Sequence, residues 1–338
     1  MTYGPGSLGQ AGEAGVLREV FAALGDPVSP DVLVGPGDDT ALLRVRRGAV
    51  LATTDTMVRG RDWLDEWSSA TDVGIKVVTQ NLADLASMGG VGTGLLVSLV
   101  ADPGLPLAWA RELTAAIGGA AGRSGVPVLG GDLSSAPSGV VMVSVTALGE
   151  LGDGVTRPVL RAGARAGDLL AVSGQLGRSG TGWLLLRQGV LSARSDPEAV
   201  ALEHHRRPVT DLQRGPEAAR AGATAMLDVS DGLVRDADRL ARASLVRLEL
   251  DDDALRSMAT ALVPAADLAD AVTQVLSGGE EHELLATFPP GCVPDGWTVI
   301  GRTADADAVD ADARQGPGVW LDGDKLDPAQ GGWDHFGG

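Results

Sequence analysis

Aspartates recur beside glycine, serine and threonine at the ends of apolar runs. They occur in Gly37-Asp38-Asp39-Thr40, Ala52-Thr53-Thr54-Asp55-Thr56, Val128-Leu129-Gly130-Gly131-Asp132 and Met226-Leu227-Asp228-Val229-Ser230-Asp231-Gly232. A further carboxylate, Asp84, falls in the helical pattern Gln80-Asn81-Leu82-Ala83-Asp84. Carboxylate and hydroxyl oxygens are the hard ligands that Mg²⁺ takes. Glycine beside them lets backbone N–H groups come close to a phosphate. Strand ends are where open α/β sheets hold their ligands. One Asp-Gly is ordinary turn chemistry. Four clusters with Asp84 point instead to a phosphate site built on several Mg²⁺ ions, since gathered carboxylates repel unless cations sit among them. That reading assumes that the clusters converge in space.

Other devices for handling phosphate are absent. The only lysines are Lys76 and Lys325, and neither completes a Gly-x4-Gly-Lys-Ser/Thr loop. There is no His-Arg-Asp and no Asp-Phe-Gly, so the protein-kinase set is missing. The net charge of −18 opposes nucleic acid as a partner. A single cysteine, Cys292, excludes an intrachain disulfide framework and a cysteine-rich zinc site. It has no acid–base neighbour in sequence and reads as inert. No apolar run approaches ~18 residues, so no membrane span is expected. The start of the chain lacks a basic and an apolar leader region, which makes the expected location cytoplasmic.

These groups must be positioned by mixed α/β structure. Helices are expected over 8–24, 69–88, 106–122, 181–189, 232–243 and 265–276. Strands are expected over 41–45, 49–54, 93–101, 126–129, 139–148, 168–172, 224–228, 245–250, 283–288 and 297–301. The turn-rich run from Glu150 to Pro158 marks a boundary, giving domains 1–150 and 151–338. Residues 303–317 read as an acidic surface loop. Three features are weaker. Ser173–Gly180 is a glycine-rich turn that either contacts phosphate or is a plain turn. Ser277–Glu283 is either a ligand-reading loop or a solvated turn. His204 and His205 lie in an arginine-rich stretch and read as surface residues.

The ordered set of motifs resembles the thiamine-monophosphate kinase family, within the aminoimidazole-ribonucleotide-synthetase-like superfamily. The resemblance runs from about residue 35 to the C-terminus. Besides the aspartate clusters it is carried by Asn81–Gly89, Thr156–Arg161, Gly167-Asp168, Ser277-Gly-Gly-Glu280 and Gly332-Trp333-Asp-His-Phe336. It implies two α/β domains, the N-terminal one pairing with its copy in a homodimer and the C-terminal one closing a cleft. It implies transfer of the ATP γ-phosphoryl group to thiamine phosphate. By the same resemblance Asp38, Asp55, Asp84, Asp132, Asp228 and Asp231 are Mg²⁺ ligands, with Thr53 and Thr54 accessory. Gly131, Asp132, Arg161 and Ser230 contact nucleotide, and Glu280 and Trp333 contact substrate. The acceptor is already an ionised phosphate, so no catalytic base is assigned. Direct transfer, with inversion at the γ-phosphorus, is the expectation.

One run departs from the family pattern. Where Val-Glu-Gly-x-His-Phe is usual, this chain has Val58-Arg59-Gly60-Arg61-Asp62-Trp63. Asp62 at the substrate-contacting position would repel a phosphate. Arg59 or Arg61 is the candidate for the lost cation, with Asp62 orienting the guanidinium. The alternative is a degenerate or repurposed member that binds ATP and Mg²⁺ without this activity.

Overall fold

The computed structural model describes residues 4–24, 29–34, 42–306 and 316–332. The Asp38-Asp39 pair and the Trp333–Phe336 tail lie outside them. The chain divides into two compact units, residues 1–85 with 91–150 and residues 86–90 with 151–338.

The first unit contains α1 (Leu8–Leu24), β1 (Val32–Val34), β2 (Leu42–Leu43), β3 (Leu51–Val58), α2 (Ala70–Ser87), β4 (Gly90–Ala101), α3 (Leu107–Arg123), β5 (Val128–Ser135) and β6 (Val141–Leu151). β1 and β2 form a small antiparallel pair. The main sheet has the order β3-β6-β4-β5, with β3 antiparallel to β6 and β4 parallel to β5. β6 shows why it forms a sheet with one covered face. Val141, Val143, Val145 and Ala147 are buried, while Met142, Ser144, Thr146 and Leu148 alternate with them half-exposed. Each buried valine contributes roughly 1.5–3 kcal/mol by leaving water. α2 lies on that covered face: a Cβ on Gly92 would come within 2.9 Å of Leu82, and one on Gly149 within 2.9 Å of Leu85. α3 lies close against α2, where a Cβ on Gly74 would be 2.8 Å from Ala116.

The second unit contains β7 (Leu169–Val172), α4 (Arg178–Arg187), α5 (Asp196–Arg206), α6 (Arg214–Ala221), β8 (Ala225–Asp228), α7 (Leu233–Ser244), β9 (Val246–Leu250), α8 (Asp252–Thr260), α9 (Leu268–Ser277), β10 (Leu284–Phe288), β11 (Thr298–Asp305), β12 (Gly318–Leu321) and β13 (Asp324–Lys325). Its seven-stranded sheet runs β13-β12-β9-β11-β7-β10-β8. All pairs are antiparallel except β12 with β9. α7 buries Leu233, Ala237, Leu240 and Ala241 at helical spacing into a core shared with Leu248 and Leu285.

The chain departs from the expected elements in physically traceable ways. Gly130-Gly131-Asp132 reads as the end of a strand, yet β5 continues through it to Ser135. Between Leu95 and Leu96 the register with β4 shifts, and Gly131 then lies so close to β4 that a Cβ would be 1.7 Å from the Val97 carbonyl oxygen. Asp55 likewise lies inside β3, not beyond its end. α5 starts at the capping sequence Ser195-x-x-Glu198, whose serine accepts from the Glu198 N–H at 3.5 Å. The same helix buries His204 and His205, which corrects the surface reading of both. Among the described residues no helix is long and apolar enough to cross a membrane.

Candidate functional site

In the first unit, strand alternation sorts the threonine-aspartate run. Thr53 and Asp55 share one face of β3, and Thr54 and Thr56 the other. The Thr53 hydroxyl donates to Asp84 Oδ2 on α2 at 2.6 Å, which brings β3 and α2 oxygens together. The Thr54 hydroxyl turns the other way, donating to the Val145 carbonyl at 3.0 Å and accepting from Thr146 at 3.2 Å. Asp132 lies on β5, accepting from Ser134 Oγ at 2.9 Å. β3 and β5 are the two edges of this sheet. With ~4.8 Å per strand, the three intervening spacings keep the backbones of Asp55 and Asp132 of one chain at least about 14 Å apart across it. One chain therefore does not bring these two carboxylates to a single ion. Gly131 is required sterically by the β4 approach, whatever else it contacts.

The departing run after β3 is a closed turn. The Asp62 carboxylate accepts from the Val58 N–H at 2.7 Å, and Gly60 takes a φ of 82° that glycine adopts freely. Trp63 is buried and stacks on Trp109 with centroids 6.2 Å apart. Arg59 is held by Asp65, which also accepts from Trp63 Nε1 at 3.3 Å. Asp65 thus holds Arg59, while one Asp62 oxygen closes the turn. Arg61 is exposed.

In the second unit, Asp228 ends β8 and Asp231 precedes α7. The loop between them is organised by Asp236, in the first turns of α7. Its Oδ2 accepts from the Ser230 and Asp231 N–H groups at 3.0 and 2.8 Å, and its Oδ1 from Arg239 at 2.6 Å. Arg239 also binds Asp231 Oδ2 at 2.5 Å. Burial and the Asp228 charge outweigh these donors and push the Asp236 carboxyl up to about 7. Sequence reasoning misses Asp236 and Arg239 because their signal is i,i+3 spacing on a helix, which surface ion pairs share. Asp228 Oδ2 lies 3.2 Å from His282 Nδ1. Beside Asp231, a cavity is lined by Arg235, Thr273, Ser277, Asp327 and Gly331. Arg161 is exposed, its carbonyl accepting from Ser244 at 2.9 Å. Asp168 is buried and accepts from Thr224 and the Arg165 N–H, a role in folding.

The Ser277–Glu283 loop is not a solvated turn. Glu281, His282 and Glu283 are buried. Glu280 donates its N–H to the Ser230 carbonyl at 2.7 Å, and His282 donates to Val229 at 2.9 Å. Glu283 accepts from Ser173 Oγ at 2.7 Å, and burial raises its carboxyl above the usual range. The glycine-rich turn at 173–180 offers a helix N-terminus, but the chain itself occupies it: the Ser179 N–H donates to Glu281 Oε1 at 2.7 Å.

Among the described residues, no three His, Cys, Asp or Glu side chains form a ready-made metal cluster. The donor types nonetheless suit Mg²⁺. Thr53, Asp55 and Asp84 supply hard oxygens in the first unit, and Asp228 and Asp231 in the second. Burial first, and then the Asp228 charge, push the Asp236 carboxyl up, and a cation there would relieve the second of these.

Family models match both parts of the chain: AIR synthase related protein, N-terminal domain, over residues 37–151, and its C-terminal domain over residues 165–293. The chain is 40% identical over 333 residues to thiamine-monophosphate kinase of Mycobacterium tuberculosis (strain H37Rv), covering 98% of this chain and 93% of that protein. It is 34% identical over 318 residues to the Corynebacterium glutamicum enzyme of the same name, with 91% and 92% covered. Its fold matches thiamine-monophosphate kinase from Stenotrophomonas maltophilia K279a with a TM-score of 0.75 at 30% identity, over 92% of this chain and 96% of that one. It matches AaThiL complexed with AMPPCP and TMP with a TM-score of 0.71 at 29% identity, over 97% and 98%. By sequence, by fold and over nearly its whole length, this chain is a kinase that belongs to the thiamine-monophosphate kinase family of AIR-synthase-related proteins.

Proposed function

We propose that the chain transfers the ATP γ-phosphoryl group directly to thiamine phosphate, giving thiamine diphosphate and ADP, with several Mg²⁺ ions bound. The observation that carries this is the concentration of carboxylates at Asp228, Asp231 and Asp236, where an aspartate is pushed up to about 7 by burial and by its neighbours. The ATP-analogue complex of AaThiL supports ATP as co-substrate. Asp55, Asp84 and Thr53 in the first unit, with Asp228 and Asp231 in the second, would hold the ions; Asp38, Asp132 and Thr54 remain further candidates. Bound Mg²⁺ would neutralise the two anionic substrates and the charge of the in-line transfer. The protein's own part is positioning. Asp236 fixes the backbone of Ser230 and Asp231, Thr53 orients Asp84, and Glu280 and Trp333 contact thiamine phosphate, with Arg59 or Arg61 as the cation for its phosphate. Gly131, Arg161 and Ser230 are nucleotide contacts in this reading. The backbone separation of at least about 14 Å between Asp55 and Asp132 supports a homodimer, in which a second copy supplies what one sheet keeps apart. We place the enzyme in the cytoplasm, in keeping with its one exposed thiol.

The test is purified protein with ATP, Mg²⁺ and thiamine phosphate, with product measured as fluorescent thiochrome. Product must vanish with EDTA and fall steeply in Asp55→Ala. Chiral γ-thiophosphate should emerge inverted, and retention would show a covalent intermediate. The altered run at Arg59–Trp63 favours a second reading, a member that binds ATP and Mg²⁺ without using thiamine phosphate. ATP binding with no thiamine diphosphate formed would establish that one.

A further inference from the structure

Glu280 and His282 both adopt left-handed backbone, with φ of 60° and 56°. Such conformations are unfavourable for residues with a Cβ and persist where the surroundings over-determine them. Glu281 lies between the two, with its side chain fully buried. A buried carboxylate needs compensation. It has two sources: the Ser179 N–H at the start of α4, 2.7 Å from Oε1, and His204 Nε2 of α5, 3.2 Å from Oε2. Neither Glu281 Oε2 nor His204 Nε2 makes a hydrogen bond, so their close approach is what faces each atom, while His204 also acts electrostatically on Glu283. His205, the next residue on α5, places Nδ1 3.4 Å from Glu280 Oε2 and 3.1 Å from Ser179 Oγ. The Glu280 N–H then ties the turn to Ser230.

We infer that His204 is a positioning residue: through its 3.2 Å contact with the buried Glu281 carboxylate it holds the left-handed turn that presents Glu280 to thiamine phosphate. This rests on the reading of Glu280 as a substrate contact. Without His204, Oε2 of Glu281 loses the group that faces it, in a site closed to water. The relief available to it is rotation towards water, which pulls Glu280 out of its conformation.

The test compares His204→Gln, Glu281→Gln, Glu280→Gln and the double variant His204→Gln/Glu280→Gln. Thiamine phosphate binding is measured by calorimetry, together with KM for both substrates and kcat. His204→Gln and Glu281→Gln should each weaken thiamine phosphate by about tenfold, the size of one misplaced charge-assisted hydrogen bond. ATP KM should stay within about twofold, because a positioning defect is local. The double variant should bind no more weakly than Glu280→Gln alone. Unchanged binding in His204→Gln beside a weakened Glu280→Gln would overturn the inference and leave the Glu280 reading standing. Unchanged binding in Glu280→Gln would overturn both. Equal losses for the two substrates, or additive losses in the double variant, would reduce His204 to general packing. If His204→Gln does not fold, Glu281→Gln, which keeps shape and removes charge, decides.

Discussion

Asp236→Asn separates the two forces that meet at Asp236. The substitution removes a charge-assisted bond to Arg239 (2.6 Å in the wild type) at a cost of about 1.5–3 kcal/mol, independent of pH where Arg239 stays charged. It also removes a titration. A carboxyl raised from 3.8 to about 7 is disfavoured as an anion in the fold by roughly 4 kcal/mol. Burial is the first cause and the Asp228 charge the second. Because the folded value is the higher one, wild-type stability is complete below about pH 4. It is lost as pH rises towards 7, where the unfolded chain has ionised and the fold resists. The amide of the variant does not titrate, so it escapes this loss. The variant should therefore be less stable than wild type at pH 4, gain on it by about 4 kcal/mol, and match or pass it by pH 8. Two compact units need not unfold together, so a global melt is the wrong probe. Hydrogen exchange of a peptide covering Leu233–Ser244, corrected for intrinsic rates and run in EDTA from pH 4 to 8, reads the α7 region itself. A difference between variant and wild type that is flat with pH would refute the burial argument. A difference that grows in favour of wild type would mean that Arg239 and the loop N–H groups hold the carboxyl below its ordinary value.

Gly131→Ala should open the β4–β5 pairing, because its Cβ would lie 1.7 Å from the Val97 oxygen and neither atom belongs to a movable side chain. We expect a loss of about 3 kcal/mol or more, seen as faster exchange over Val128–Ser135, and wild-type protection there would refute the close approach. Thr53→Val keeps the shape and deletes the donor to Asp84, so it should cost about 1.5–3 kcal/mol and raise the Mg²⁺ needed for half-maximal activity. Thr53→Ser should restore both; an Mg²⁺ requirement unmoved by Thr53→Val would show that this hydroxyl does not order the carboxylate.

The family and the fold class were legible in the residues alone. Motif order along the chain identifies the family, and the oxygen donors beside glycine, the missing lysine loop and the acidic balance set the expectation for its chemistry. Element types were legible wherever apolar periodicity is strong, as in α2, β6 and α7. Tertiary structure decided the remainder, because it depends on which groups remote in sequence meet. Gly130-Gly131-Asp132 is locally a breaker, and only the approach of β4 makes it strand. Asp55 and Asp132 look equivalent as sequence, yet strand order puts them on opposite edges of one sheet. His204 and His205 sit in a polar run that any local reading leaves in water. Packing of α5 against the 280–283 loop buries them, since the carboxylates there require partners that no short-range pattern encodes.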